Sequence, residues 1–146
     1  MTFSYAPATA ADLAAIRALL AEAHLPVEDL GLSHQHFIVA REGANVVGCI
    51  GLERYGDDAL LRSLVVAPSR RGAGFGKGLY AEALAEARRG GVAALYLLTN
   101  TAEGLFSRFG FSRIARAAVP AAVASSLEFR SLCPASAVCM VKRLAP

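Results

Sequence analysis

Runs of apolar residues separated by short polar segments are the clearest pattern along the chain, and their lengths are typical of β-strands. They predict strands at 3–6, 37–40, 46–55, 59–66, 94–98 and 137–143. Turn-forming residues at 42–45 and 56–58 separate three of these runs. We therefore expect successive hairpins, with antiparallel pairing up to the strand at 59–66.

Apolar residues at helical spacing predict the helices. Thr9 and Asp12 are typical of a helix N-cap pair, and Pro26 should stop the helix that they open. Between them the helical spacing is kept by Leu13, Ile16, Leu19 and Leu20. A second helix is predicted around 79–87 and ends at Gly90 and Gly91, and a short helix is predicted at 120–126.

The order of these elements predicts the architecture. Because a strand, a helix and another strand follow one another from 59 to 98, we expect a right-handed crossover and a parallel strand pair there. The predicted fold class is α/β, or α+β in some schemes: a mixed sheet with a parallel centre and helices on both faces. With 146 residues, the chain is predicted to form one domain, residues 1–146.

A glycine-rich basic loop lies between the strand at 59–66 and the second helix. Its glycines let the backbone approach a ligand, and the N–H groups at a helix start attract anions. Arg70, Arg71 and Lys77 add positive charge. The loop therefore predicts a cradle for the pyrophosphate of a nucleotide-like cofactor, with a flexible helix-capping turn as the alternative. A P-loop is excluded because Gly78 follows Lys77 where that motif needs Ser or Thr.

The loop carries a resemblance to a known family. Residues 71–76, Arg-Gly-Ala-Gly-Phe-Gly, fit the pattern [Q/R]-x-x-G-x-[G/A] directly after an apolar strand. In this the chain resembles the GNAT superfamily of acyl-CoA-dependent N-acetyltransferases, roughly over 3–143 and most strongly over 60–111. The resemblance implies acetyl-CoA as co-substrate and a sheet that splays apart between the strands of Val65 and Leu97. The implied cofactor-binding residues are Leu64, Val65, Val66, Arg71, Gly72, Ala73, Gly74, Phe75, Gly76, Lys77, Asn100 and Phe106.

Phe106 departs from the family pattern. Many enzymes of this superfamily carry a tyrosine there, whose hydroxyl can protonate the departing thiolate, and phenylalanine has no such proton. Either the thiolate leaves without a dedicated acid, or another group protonates it, such as Ser107, Tyr96 or a water. Phe106 also favours a second interpretation, a non-catalytic acyl-CoA-binding module.

The candidate catalytic residues are Glu53 and Arg62. Glu53 is either a general base or an exposed strand-end carboxylate paired with Arg54. Strand alternation predicts one face that carries Leu60, Arg62, Leu64 and Val66. An arginine within a central strand needs a partner, so Arg62 either binds the acid group of the acceptor or forms a buried salt bridge, for instance with Glu53.

Histidines and a polar segment near the chain end are further candidates for the acceptor side. His34 and His36 lie near the expected acceptor entrance, whereas His24 is interpreted as a helix C-terminal residue. The segment 128–136 contains Ser131 and Cys133 and is interpreted as a lid, with an ordinary hairpin loop as the alternative. The predicted substrate-binding residues are Arg62, His36, Ser131 and Cys133.

The same segment, together with 61–64 and 96–99, resembles the GNAT branch associated with arsenic-resistance operons. That resemblance implies detoxification by acetylation of the α-amino group of glutamate analogues of the phosphinothricin and arsinothricin type. Acetylation of a protein N-terminus or a polyamine is the alternative. Direct arsenic binding is rejected, because Cys133 lacks a second cysteine unless Cys139 proves close.

Composition limits the classes of binding partner that we expect. The net charge of +3 is modest, and basic residues are not interleaved with aromatic ones, so nucleic acid is not expected as a partner. The three cysteines lack metal-ligand spacing, and no metal is predicted. Neither a membrane span nor a signal peptide is recognisable, so we expect a cytoplasmic protein. The expected partner is a small-molecule amine, and homodimers are common in the resembled family.

Overall fold

In a computed structural model, the structure describes residues 3–31, 34–126, 129 and 136–144. The strands are β1 (Phe3–Pro7), β2 (Gln35–Glu42), β3 (Asn45–Tyr55), β4 (Asp58–Val66), β5 (Ala94–Thr99), β6 (Ser112–Arg113) and β7 (Val138–Arg143). The helices are α1 (Leu13–Glu22), α2 (Phe75–Arg89), α3 (Glu103–Arg108) and α4 (Ala121–Ala124). Single 3-10 turns precede α1, α2 and α4.

One mixed sheet contains all the described strands, in the order β1-β2-β3-β4-β5-β7-β6. β4 and β5 run parallel, and every other described pair is antiparallel. The predicted hairpins and the crossover through α2 are confirmed. β6 was not predicted, because two residues are too few to produce a recognisable pattern.

Helices cover both faces of the sheet, as predicted for this fold class. On one face α2 packs against β3 and β4 through a core that includes Leu79, Ala83 and Ile50. On the other face Ile16 and Leu20 of α1 pack on β2 and β3, and Val123 of α4 packs near Leu60 and Tyr96. Among the described helices, none is long and apolar enough to cross a membrane.

The start of α1 shows the predicted capping interaction. Asp12 Oδ2 accepts hydrogen bonds from the Thr9 backbone N (2.8 Å) and from Thr9 Oγ1 (3.2 Å). The Arg41 guanidinium donates to both Asp12 oxygens, at 2.9 and 2.7 Å. The hydrogen bonds from Arg41 and Thr9 hold the pKa of Asp12 below its ordinary value.

The predicted alternation along β4 is wrong beyond Arg62. Gly51 pairs with Arg62, whereas Cys49 pairs with Val65, so Ser63 and Leu64 together stand opposite one residue of β3. This β-bulge interrupts the two-residue repeat of the strand. Leu60 packs with the core beneath α4 that contains Val123 (the α4-side core), whereas Leu64 and Val66 pack with the core beneath α2 that contains Leu79 (the α2-side core). The four residues therefore do not share one face.

Candidate active site

A cleft opens in the middle of the sheet where the parallel strands separate. β4 and β5 pair only at Asp58–Ala94, Ala59–Leu95 and Leu60–Tyr96. Beyond these pairs the strands diverge around a cavity of about 490 Å³. Residues 61–66 line one wall and residues 97–99 line the other. The backbone groups of β4 that would pair with β5 therefore have no β5 partner in this stretch, and they can hydrogen-bond a ligand.

The bulge in β4 lies on the wall of this cleft. Ser63 has φ +60°, in the left-handed region that residues other than glycine rarely adopt. Its hydroxyl oxygen accepts a hydrogen bond from Arg62 Nε at 2.8 Å, and its carbonyl oxygen accepts one from the Cys49 thiol at 3.4 Å. Burial raises the pKa of the Cys49 thiol to about 12, so this thiol is protonated and acts as a donor.

The glycine-rich loop closes one end of the cleft. Gly72 and Gly74 have φ +84° and +88°, which explains why glycine stands at both positions. α2 begins directly after Gly74, and its first backbone N–H groups have no acceptor within the helix. Arg71 and Gly76 line the cleft, and the predicted pyrophosphate cradle therefore adjoins it.

Side chains in the loop have different surroundings. Ala73 and Lys77 are exposed, and Arg71 Nε donates to the Val66 carbonyl oxygen at 3.3 Å. Arg70 instead donates to Glu42 Oε1 at 2.7 Å. The Phe75 side chain is buried against the rings of Phe3 and Tyr5, so a contact of Phe75 with a cofactor would use its backbone.

Phe106 lies on the β5 side of the cleft. It is 7% exposed, lines the cavity, and meets Phe109 and Phe111 edge to face. Asn100 is exposed and lies outside the lining, although its neighbours Thr99 and Thr101 belong to it. Of the alternative proton donors, Ser107 is exposed outside the lining, and Tyr96 is buried in the α4-side core.

Arg62 lies in a buried cluster of charges. Its Nη1 donates to Asp29 Oδ2 at 2.5 Å and to Glu53 Oε2 at 2.7 Å. The exposed fractions of the three side chains are 0% for Arg62, 2% for Asp29 and 1% for Glu53. Of the two alternatives for Arg62, the buried salt bridge describes the contacts observed. A direct contact with an acceptor stays a prediction.

Glu53 differs from its expected surroundings. It is neither exposed nor paired with Arg54, whose Nε donates to the Gly56 carbonyl oxygen at 2.5 Å. Besides Arg62, Glu53 accepts hydrogen bonds from Gln35 Nε2 at 2.8 Å and from the Tyr55 hydroxyl at 2.7 Å. These donors occupy both carboxylate oxygens, which explains how the group is accommodated in the interior. Its role as a catalytic base stays a prediction.

The histidines lie outside the cleft lining. His34 Nε2 is 3.3 Å from the Tyr55 hydroxyl oxygen and 3.8 Å from Glu53 Oε1. Burial and the adjacent Glu53 raise the pKa of Tyr55, so its hydroxyl stays protonated. His36 is exposed, 3.7 Å from Glu86 Oε1. His24 follows the end of α1 as expected, with φ +59°.

Two predicted substrate-binding residues, Ser131 and Cys133, lie outside the described residues, as does most of the proposed lid. Burial raises the pKa of the Cys139 thiol, whose neighbour across the sheet is Leu98. Within the described ranges, no group of three or more His, Cys, Asp or Glu side chains is arranged to hold a metal ion.

Sequence reasoning missed Asp29, Ser63 and Tyr55. The available signal was Arg62 itself, because a buried arginine requires carboxylate partners. Glu53 was identified as one such partner. Asp29 lies 33 positions away from Arg62 in a segment without periodicity, and no local pattern connects the two.

Comparison with known proteins agrees with this geometry. The model of the acetyltransferase (GNAT) domain matches residues 33–113, which is more than half of the chain. None of the curated proteins matches. Among solved structures, Rv2747 from Mycobacterium tuberculosis, in complex with CoA and NLQ, has a TM-score of 0.81 at 25% identity, covering 97% of this chain and 99% of that one.

Two further structures show the same fold. N-acetylglutamate synthase from Neisseria gonorrhoeae, in complex with coenzyme A and L-arginine, has a TM-score of 0.81 at 22% identity over 99% of this chain. This chain spans only 34% of that synthase. The ribosomal-protein-S18-alanine N-acetyltransferase from Escherichia coli has a TM-score of 0.78 at 16% identity, covering 99% and 96% of the two chains. The chain belongs to the GNAT family of acetyltransferases.

Proposed function

We propose that this protein transfers the acetyl group of acetyl-CoA to the amino group of a small anionic amino acid. The observation that supports this most strongly is the cleft between β4 and β5, which runs from the glycine-rich loop to Phe106. Such a cleft suits an extended ligand with a pyrophosphate at one end and a thioester at the other. Direct attack by the amine requires both reactants in one orientation, which by itself supplies much of the rate.

Acetyl-CoA supplies an activated acetyl group, and the roles that remain fall to the chain. The backbone N–H groups at the start of α2 bind the pyrophosphate. Backbone groups at 64–66 bind the amides of the pantetheine arm and polarise the thioester carbonyl, which stabilises the negative charge that develops on its oxygen. Phe106 excludes water from this region, but it donates no proton, so the departing thiolate receives its proton from another donor.

The cleft lining bears on the charge of the acceptor. Among the described residues that line it, no carboxylate is present; the charged ones are Arg71 and Arg62, and the Arg62 guanidinium is already paired with Asp29 and Glu53. A polyamine site needs carboxylates, so this wall disfavours a polyamine. A solved structure of the Neisseria gonorrhoeae synthase contains coenzyme A and N-acetyl-glutamate, at 22% identity over 100% of this chain. That structure supports a glutamate-like acceptor for this fold.

At the finer level, we propose toxic glutamate analogues of the phosphinothricin and arsinothricin type as the acceptors. The support is the resemblance of 61–64 and 96–99 to the branch associated with arsenic resistance. Acetylation of the α-amino group removes its positive charge, and an analogue that must imitate glutamate then loses its effect. Resistance by N-acetylation in the cytoplasm is the corresponding biological role.

The test is release of free CoA thiol from acetyl-CoA by the purified protein, with one acceptor in each reaction. The panel contains phosphinothricin, glutamate, spermidine and a peptide with N-terminal alanine. We expect release with phosphinothricin and little or none with spermidine. Release only with spermidine contradicts an anionic acceptor, and release only with glutamate contradicts the detoxifying role.

The peptide with N-terminal alanine tests a second candidate function, acetylation of a protein N-terminus. The similar fold of the Escherichia coli S18-alanine acetyltransferase, which matches this chain over nearly the full length of both, favours including it. Binding of CoA without thiol release from any acceptor supports the non-catalytic module suggested by Phe106. Mass spectrometry of the product, with an expected increase of one acetyl group, separates true transfer from hydrolysis of acetyl-CoA.

A further inference from the structure

The left-handed position of the bulge in β4 is occupied by an unusual residue type. A left-handed residue at a bulge is normally glycine, because a side chain there is strained. In this chain the position holds Ser63, with φ +60°, and it is 9% exposed. A strained backbone conformation persists only where surrounding contacts over-determine it. The contacts of Ser63 therefore bear on how the bulge is maintained.

Both polar groups of Ser63 that face the interior are held by neighbouring side chains. Arg62 Nε donates to the Ser63 hydroxyl oxygen at 2.8 Å, and the Cys49 thiol donates to the Ser63 carbonyl oxygen at 3.4 Å. Arg62 is in turn fixed by its ion pairs with Asp29 and Glu53. The guanidinium is fully buried, so its orientation is set by these contacts.

The bulge determines how the next residues face the cleft. Because it shifts the strand by one residue, Val65 packs with the α1-side core and Leu64 with the α2-side core. Without the shift these residues would exchange faces. The backbone groups of 64–66, which have no partner on β5, would then point elsewhere. The orientation of the donors for a thioester thus depends on the conformation of Ser63.

We propose that Arg62 and Ser63 are positioning residues for the thioester: the hydrogen bond from Arg62 Nε to the Ser63 hydroxyl holds the left-handed bulge that directs the backbone donors of 64–66 into the cleft. This inference rests on the proposed acetyl transfer. Arg62 then acts through Ser63 and does not touch the acceptor. Asp29, which lies between α1 and β2, is connected to the same bulge through Arg62.

The experiment compares the affinities for acetyl-CoA and for CoA, measured by isothermal titration calorimetry. CoA shares the pantetheine amides with acetyl-CoA but has no thioester carbonyl, so the difference between the two losses of affinity reports the thioester contact alone. In Ser63→Ala, we expect the affinity for acetyl-CoA to fall about threefold to tenfold further than the affinity for CoA, the equivalent of one hydrogen bond, whereas any loss that both ligands share reports the pantetheine contacts. Ser63→Gly should retain more of the affinity for acetyl-CoA than Ser63→Ala, because glycine adopts φ +60° without strain.

Arg62→Lys tests the other partner of the hydrogen bond. It keeps a cation between Asp29 and Glu53 but lacks the Nε donor. We expect the same selective loss as in Ser63→Ala, and the double variant should lose little more than either single variant, as for two partners of one interaction. Ser125→Ala removes a hydroxyl that donates to the Ala122 carbonyl oxygen outside the cleft lining, and it should change neither affinity.

Three results would overturn the proposal: unchanged affinity for acetyl-CoA in Ser63→Ala, equal losses for both ligands, or additive effects in the double variant. None of these measurements requires an acceptor amine. Failure of the proposed function appears instead as absence of thiol release by the wild-type protein with every acceptor. The two failures are therefore distinguishable.

Discussion

Replacing Arg62 with methionine removes the cation that both Asp29 and Glu53 contact, while it keeps most of the side-chain volume. The three side chains are 0–2% exposed, so water cannot compensate the two carboxylates that remain. Breaking a buried ion pair by removing one partner costs about 3–5 kcal/mol. For a chain of this size that corresponds to a decrease in Tm of roughly 10–16 °C.

A matched variant gives the comparison. Arg41→Met removes the partner of Asp12, but Arg41 is 26% exposed, and Asp12 keeps the two hydrogen bonds from Thr9. We expect this variant to lose only about 1 kcal/mol. Both free energies of unfolding are measurable by urea denaturation at pH 7, followed by circular dichroism.

A loss below about 1 kcal/mol for Arg62→Met, or a loss equal to that of Arg41→Met, would refute this reasoning. A further variant tests the cause of the destabilisation. Adding Asp29→Asn and Glu53→Gln to Arg62→Met removes the uncompensated charges, and it should recover part of the lost stability. No recovery would mean that packing, not charge, accounts for the cost.

Two further predictions concern the thiols and the proton donor. In a Cys133→Ser background at pH 8, Cys49 and Cys139 should not react with a thiol reagent within minutes until urea is added. The reason is that burial raises the pKa of both thiols and keeps them protonated. Rapid reaction of either thiol in the native protein would contradict their burial. Phe106→Tyr should raise kcat by up to about 100-fold, with little change in KM for acetyl-CoA, because the tyrosine hydroxyl supplies a proton to the departing thiolate. An unchanged kcat in steady-state thiol release would contradict the assignment of Phe106 to the acid position.

Features that depend on local residue identity were predictable from the sequence. The glycine loop is one of them, because the backbone conformations of Gly72 and Gly74 demand glycine and therefore mark it in the sequence. The hairpins and the crossover follow from turn residues and from the spacing of apolar runs. Together with residues 71–76, these features were sufficient to identify the fold class and the family.

Features that depend on tertiary contacts were not predictable. The bulge escaped notice because Ser63, and not glycine, occupies the left-handed position, so an unbroken alternation along β4 was assumed. The prediction that Glu53 is exposed and paired with Arg54 was wrong, because Gln35 and Tyr55 contact Glu53 in the interior; its pairing with Arg62 was one of the stated alternatives. Asp29 joins the cluster from a distant segment. The contacts that shape the site arise only when the sheet and the α1–β2 segment come together.

The central claim is that the glycine loop and the cleft between β4 and β5 form one binding site for acetyl-CoA. Calorimetric titration of CoA into the wild type, Gly74→Val and Gly56→Val tests it most directly. Both glycines have positive φ, +88° and +66°, so valine strains each backbone similarly, but Gly56 lies in the hairpin between β3 and β4, outside the cleft lining. We predict that CoA binds Gly74→Val at least about tenfold more weakly than the wild type, which corresponds to a loss of about 1.4 kcal/mol of pyrophosphate binding. In Gly56→Val the affinity should stay within about twofold of the wild type. Wild-type affinity in Gly74→Val, or equal losses in both variants, would contradict the account.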